Sequence, residues 1–264
     1  MLATTEYGQV TQIRLCRYPD NPGGTVSTYL VDGLLIDSGL AYTAEELTEF
    51  LKDRGVKTVV NTHCHEDHIA ANALLKERYG VELLAHPLAV NKINQPATLY
   101  PYQEEVWGYP VPSQVKEIGD AVTTNHFRFE VIHTPGHDRD HICLFERKQG
   151  WIFTGDLFVG TRPNVVRPMD DVRQIIADLK KVKDLKPQIL FPAPGKVRTD
   201  PVPVLEQTIR YLEELGQQVM ELHDKGLSPT EIVKEVFGNE ATIAEWTQQQ
   251  FSSLNMVKSF IKTG

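Results

Sequence analysis

Between positions 62 and 68 the chain reads Thr-His-Cys-His-Glu-Asp-His, which puts three imidazoles and a carboxylate within six residues. The cluster follows directly on an apolar, strand-like stretch at 57–62. Side chains at i and i+2 of an extended segment leave the same face, so His63 and His65 can reach one ion, while Asp67 and His68, across the turn, reach a neighbouring position. Such donors buried together without a cation would repel one another or be left unmet, which separates the cluster from a lone core histidine. The chemistry expected is that of a divalent metal that brings the pKa of a bound water towards neutrality. Cys64 lies between the two ligands, so alternation turns its thiol away from the ion and it reads as a buried thiol.

The elements around this cluster alternate between strand and helix. Residues 10–15 and 25–37 read as strands, the second stretch broken by an Asp-Gly hairpin signal at Asp32 and Gly33. Residues 42–54 and 69–79 have helical spacing and stop at Gly55 and Gly80. A strand at 81–85 follows. Residues 86–112 carry five prolines with Tyr100, Tyr102, Trp107 and Tyr109, and read as an insertion packing its own small core over one end of the sheet. Strands resume at 127–133, 142–146, 151–154 and 188–191, with an amphipathic helix at 170–184. Beyond Pro203 the chain turns helical at 205–221, 228–237 and 241–261; Ser228-Pro229-Thr230-Glu231 is a strong helix start.

With 264 residues, 41% hydrophobic and 23% charged, the chain has the composition of an ordinary globular protein. Its net charge of −8, without a run of Lys or Arg longer than a pair, disfavours nucleic acid as a partner and leaves a small-molecule substrate. The three cysteines at wide spacing do not form a disulfide framework, and no stretch of about 18 apolar residues occurs. A cytoplasmic protein that does not enter the membrane is expected. Self-association into a homo-oligomer is left open.

Three motifs in order, H-x-H-x-D-H at 63–68, Thr134-Pro135-Gly136-His137 and Thr154-Gly155-Asp156, make the chain resemble the metallo-β-lactamase fold hydrolases over about residues 10 to 200. That family includes glyoxalase II thioesterases, lactonases, β-lactamases and phosphodiesterases. The resemblance implies an α/β fold, a four-layer αββα sandwich of two mixed β-sheets flanked by helices. It would occupy residues 1–202, with a small helical C-terminal subdomain at 203–264 packed on it. It also implies that His63, His65 and His137 bind one metal, that Asp67 and His68 belong to a second, and that Asp156 bridges the two. The cofactor would be one or two zinc ions, with iron or manganese as alternatives. A metal-bound hydroxide would attack an ester, thioester or lactone, with Asp67 as the catalytic group that orients the water and passes its proton to the leaving group.

The sequence departs from the family pattern in one place. A further Pro-Gly-His histidine is usual about 40 residues after the bridging Asp, and here the text is Ala193-Pro194-Gly195-Lys196. A protonated lysine cannot ligate, but it could balance Asp67 and Asp156 or grip an anionic substrate group, leaving one firm metal and a weak second one. Restoring histidine at 196 is then expected to raise bound metal. His141 could orient a ligand, Arg162 and Arg167 could face an anionic substrate, and His86, His126, His133 and His223 read as structural. Three other functions share this pattern: a metal-dependent nuclease or phosphodiesterase, an iron-dependent persulfide dioxygenase needing only His63, His137 and Asp156, and a non-catalytic ligand-binding protein with a damaged second site.

Overall fold

The computed structural model describes residues 1–18, 20 and 24–262. Strands β1 (Leu2–Tyr7), β2 (Val10–Leu15), β3 (Val26–Val31) and β4 (Leu34–Ile36) form an antiparallel meander. Helix α1 (Ala44–Leu51) leads to β5 (Thr58–Val60), and α2 (Glu66–Ile69) and α3 (Asn72–Tyr79) lead to β6 (Glu82–Ala85). Next come α4 (Pro87–Ile93), α5 (Pro101–Val106) and β7 (Lys116–Glu117). Strands β4 to β7 are parallel and complete a seven-stranded sheet in sequential order. The second sheet has five strands in the order β12-β11-β10-β9-β8, formed by β8 (Ala121–Thr123), β9 (Arg128–His133), β10 (Ile142–Glu146), β11 (Trp151–Gly155) and β12 (Ile189–Pro192). Helix α6 (Val172–Asp184) makes the crossover between β11 and its parallel neighbour β12. Then follow α7 (Pro201–Asp224), α8 (Pro229–Phe237), α9 (Ile243–Trp246) and α10 (Ser253–Ile261).

Strand alternation divides the apolar residues into three cores, and so gives the four layers. Tyr29, Ile36 and Val60 of the first sheet meet Phe129, Leu144, Phe153 and Phe191 of the second between the sheets. The Phe153 and Phe191 rings stack there at 4.7 Å, with Tyr29 edge-on to both. The opposite face of the first sheet packs Leu35, Val59 and Leu83 under α1, α3, α4 and α5. In the second sheet, Cys143 and Phe145 point away from the inter-sheet core into a third cluster with Leu179 of α6, Leu212 of α7, Ile232 of α8 and Phe260 of α10. Residues 203–262 thus share a core with α6 and the second sheet.

The sequence expectation for fold class holds, and so do most of the elements. The helix expected over 241–261 is instead two: the chain between α9 and α10 passes through Gln248 and Gln249 with φ of 51° and 64°, and Ser252 then caps α10 by accepting from the Asn255 amide at 3.0 Å. The 86–112 insertion contains α4 and α5, each opened by a proline in its first turn.

Candidate metal centre

The ends of β4, β5, β9, β10 and β11 meet at one edge of the sandwich. Two glycines make the approach possible. Gly155 has φ +46°, and a Cβ on it would lie 2.7 Å from both His141 Nε2 and Thr62 Oγ1. A Cβ on Gly136 would run into the backbone of Ile175 in α6. The β11–β12 register also shifts between Phe153 and Gly155, a bulge that re-aims the strand end carrying Asp156.

His63, His65 and His137, all buried, bring one nitrogen each within 4.8 Å of one another, and His63, His68 and Asp156 form a second such group. Two of the imidazoles, His63 and His68, have their Nδ1 held by an oxygen. Asp37 accepts from the Thr62 amide at 2.7 Å, the Thr62 hydroxyl at 2.8 Å and His68 Nδ1 at 2.8 Å. Because the Thr62 hydroxyl proton goes to Asp37, His63 Nδ1 donates to Thr62 Oγ1 at 3.0 Å. One carboxylate therefore fixes two imidazole tautomers and leaves both Nε2 atoms without a partner in the protein. Asp170 faces His137 Nδ1 at 3.2 Å, and Asp138 faces His65 Nε2 at 3.6 Å. His137 Nε2 and His65 Nδ1 hydrogen-bond to each other at 3.1 Å. The nitrogens left without any partner in the protein are instead His63 Nε2, His65 Nε2 and His68 Nε2, and a buried set of that kind suits a cation.

The charge balance agrees with this. Burial holds His63 and His65 well below the usual imidazole range, His63 with neighbouring imidazoles adding to the effect and His65 with Arg167 and His137 adding to it, so both present neutral donors. Burial also disfavours charge on His68, but Asp67, Asp37 and Asp156 outweigh it and hold its pKa well above the ordinary value. Burial pushes the Asp67 carboxyl up to about 6 despite the attraction of His68. For Asp156 the nearby His68 and His137 win over burial and hold it ionised. Asp67 Oδ2 and Asp156 Oδ1 lie 3.6 and 3.4 Å from His68 Nε2, and Asp67 Oδ1 has no partner in the protein. Burial also disfavours charge on His137, but Asp170 and Asp156 outweigh it and raise its pKa; the neutral His63 and His65, the ionised Asp156 and the unpaired buried nitrogens suit a divalent transition ion, whose charge would displace the protons that the carboxylates now favour on His68 and His137.

Of the residues singled out in the sequence, His63, His65, Asp67, His68, His137 and Asp156 come together. His141 is buried beside them but does not ligate: its Nδ1 meets Thr134 Oγ1 at 2.8 Å and its Nε2 accepts from the Asp156 amide at 3.2 Å, so it sets the Asp156 backbone. Lys196 is not brought to Asp67 or Asp156. The chain after β12 doubles back, Leu190 and Arg198 exchanging two backbone hydrogen bonds of 2.9 Å, and Lys196 sits exposed near the tip of that turn in a cleft with Thr5, Tyr7, Gln12 and Arg14. Arg162 is exposed, whereas Arg167 is buried. His86 and His133 stack on each other at 4.4 Å, and His126 pairs with Asp32.

Sequence reasoning missed Asp37, Asp138, Asp140 and Asp170. Asp37 has φ 61° and opens an Asp-Ser-Gly turn after β4, an acid at a strand end that was there to be noticed. Asp138 and Asp140 are bound together by Lys92 of α4, 2.9 Å from each, an arrangement only the fold reveals.

A cavity of about 190 Å³ opens from this centre. His137, Asp156 and Asp170 stand at one side, and Leu157, Val159, Val165, Leu212 and Met256 supply much of the wall. Helices α7 and α10 contribute Thr208, Leu212 and Met256, so the C-terminal region shapes the space beside the ligands.

Residues 21–193 match the Metallo-beta-lactamase superfamily. Among curated proteins, the chain is 26% identical over 230 residues to the Beta-lactamase-like protein 2 homolog of Drosophila melanogaster, covering 80% of this chain and 74% of that one. It is 30% identical over 146 residues to the hydroxyacylglutathione hydrolase GloC of Haemophilus influenzae, covering 52% and 68%. Among solved structures, a beta-lactamase domain protein from Burkholderia ambifaria aligns with a TM-score of 0.72 at 17% identity over 97% of this chain and 86% of that one, a likeness of fold. TTHA1623 in a di-iron-bound form aligns with a TM-score of 0.58 at 26% identity, covering 72% and 95%.

Proposed function

The chain belongs to the metallo-β-lactamase superfamily and is a metallo-hydrolase, and from that premise we propose that it cleaves thioesters or esters of apolar acyl groups. The observation that carries this reading is the pairing of a buried ligand cluster, in which Asp37 and Thr62 fix His68 and His63, with an apolar cavity opening directly on His137 and Asp156. His63, His65 and His137 would hold one ion; His68 and Asp156, with Asp67 beside them, would serve a second position. The ion supplies Lewis acidity at the carbonyl and a water of lowered pKa. Zinc fits the donor set, and iron fits it as well.

The chain's own residues would do the rest. Asp67, buried, with Oδ1 free and its carboxyl pushed up to about 6, would take up a proton from the attacking water and pass it to a departing thiolate or alkoxide. Asp37 and Asp170 keep the imidazoles in register, and His141 keeps Asp156 in place. Leu212 and Met256 remove water from around the acyl chain. In this reading residues 203–264 form a subdomain that shapes the substrate pocket. The apolar wall and the acidic balance weigh against a polynucleotide substrate.

The test is a panel on the untreated protein: an octanoyl thioester, a nitrophenyl ester, a lactone, a phosphodiester and glutathione persulfide. Metal-dependent thioester or ester turnover is expected to exceed the others. Phosphodiester cleavage alone, or sulfite release from the persulfide alone, would overturn the proposal.

A further inference from the structure

The cavity at His137 and Asp156 has an open side and a closed one. Val159 on its wall is 50% exposed, whereas Leu179, Leu212 and Met256 on the same wall are exposed by 2% or less. Helix α7 gives the direction inward. Its Thr208 Oγ1 donates to the carbonyl of Gly160, next to Val159, at 3.3 Å and to the Val204 carbonyl at 3.0 Å, and Leu212 follows Thr208 one turn along the same face. Helix α6 is pinned to the residue before His137: the Gly136 amide donates to Asp178 Oδ2 at 2.9 Å, and the Asp171 amide donates to the Gly136 carbonyl at 2.8 Å. Ile175 and Leu179, one turn apart on that helix, carry the wall onward from His137.

Away from His137, Asp156 and Asp170 the side chains on this wall are apolar apart from Thr208, whose proton is committed to the two carbonyls. A chain lying there meets no free side-chain donor, and burying a polar substituent unmet is costly. The closed end is also firmly backed. Leu212 and Met256 belong to the core cluster that includes Phe145 of β10, Ile232 of α8 and Phe260 of α10, and a close-packed cluster of that kind does not give way to an extra methylene. The space of about 190 Å³ is somewhat larger than the roughly 150 Å³ in which a buried apolar cavity holds benzene, so it takes a chain of about six to eight carbons.

We propose that Leu212, with Leu179 and Met256 beside it, is the residue that limits acyl length: the substrates carry unbranched, saturated acyl chains of about six to eight carbons, whose far end stops against this leucine. The proposal rests on the hydrolytic reading and narrows its substrate class to medium-chain thioesters or esters.

The assay is kcat/KM over straight-chain acyl thioesters from acetyl to myristoyl. For wild type the value should climb about fourfold per added methylene up to the optimum, as burial of each methylene implies, and drop at least about tenfold once the chain is too long. Leu212→Ala should move the optimum about two carbons longer, part of the vacated space being lost to relaxation, and Leu212→Phe should move it shorter. A wild-type value still rising at myristoyl, or an optimum that neither variant moves, would overturn the assignment. Calorimetry of the matching straight-chain alkanoates with the zinc-loaded full-length protein separates this from failure of the hydrolytic reading. The same optimum and the same opposite shifts are expected in affinity whether or not any thioester is turned over. Affinity that does not depend on length in wild type, or one optimum common to all three proteins, also overturns it. Should Leu212→Ala fold poorly by circular dichroism, Met256→Ala at the same closed end should give the shift to longer chains, and its failure to do so counts equally against the proposal.

Discussion

Replacing Asp67 by Asn should stabilise the metal-free protein at neutral pH while abolishing turnover. Burial raises the Asp67 carboxyl from 3.8 to about 6, so the folded state keeps its proton where the unfolded chain has lost it. Below pH 4 both states are protonated and the group contributes nothing. Between about pH 4 and 6 the folded state binds more protons, so stability falls as pH rises, and above pH 6 the cost is constant. Two units at 1.36 kcal/mol each give a cost of up to about 3 kcal/mol, which Asn, neutral at every pH, does not incur. For a chain of this size that corresponds to roughly 6–10 °C in Tm. The assay is thermal unfolding of chelator-treated wild type and Asp67→Asn from pH 4 to 8. The two curves should meet near pH 4 and separate through pH 6, the variant higher. A variant less stable than wild type at pH 8, or a difference independent of pH, would refute the argument that burial strains this carboxylate until a metal arrives.

Gly155→Ala should cost on the order of 2–3 kcal/mol and weaken metal binding, because the added Cβ collides with His141 and Thr62 at a positive φ; calorimetric unfolding and metal titration would show it. Lys196→His should leave metal content unchanged, since the turn after β12 keeps this side chain exposed in a separate cleft; two tightly held ions appearing only in the variant would contradict that placement. A chain ended at residue 200 should be insoluble or unfolded by circular dichroism, because it uncovers Leu179, Val182 and Leu190, which α7, α8 and α10 now cover.

The candidate metal cluster could be read in the sequence because its donors are crowded within six residues and repeated at two further motifs, and the fold class because alternating strands and period-3.6 helices encode their own faces. Strand β1 escaped because it is an edge strand whose residues are almost all exposed or half-exposed, so no buried face marks it. Strands β7 and β8, of two and three residues, are too short for a periodic signal. The break between α9 and α10 was hidden because Gln248 and Gln249, not glycines, take the left-handed conformation there. Around the candidate metal centre, Asp37 and Asp170 lie at least 25 residues from the histidines they face and Asp138, although next to His137, faces His65, and a lone acid on a loop carries no local mark of its partner. Lys196 could be aligned by motif but not placed, because its position depends on the Leu190–Arg198 pairing.

The central claim, that His63, His65 and His137 hold the catalytic ion, is tested most directly by metal content of the protein as purified, wild type beside His63→Ala, by inductively coupled plasma mass spectrometry. Wild type should carry at least about one divalent ion per chain, because buried imidazole nitrogens of His63, His65 and His68 otherwise have no partner in the protein. His63→Ala, which removes a donor common to both groups, should carry close to none while remaining folded. Equal metal in the two proteins, or none in either, would contradict the account.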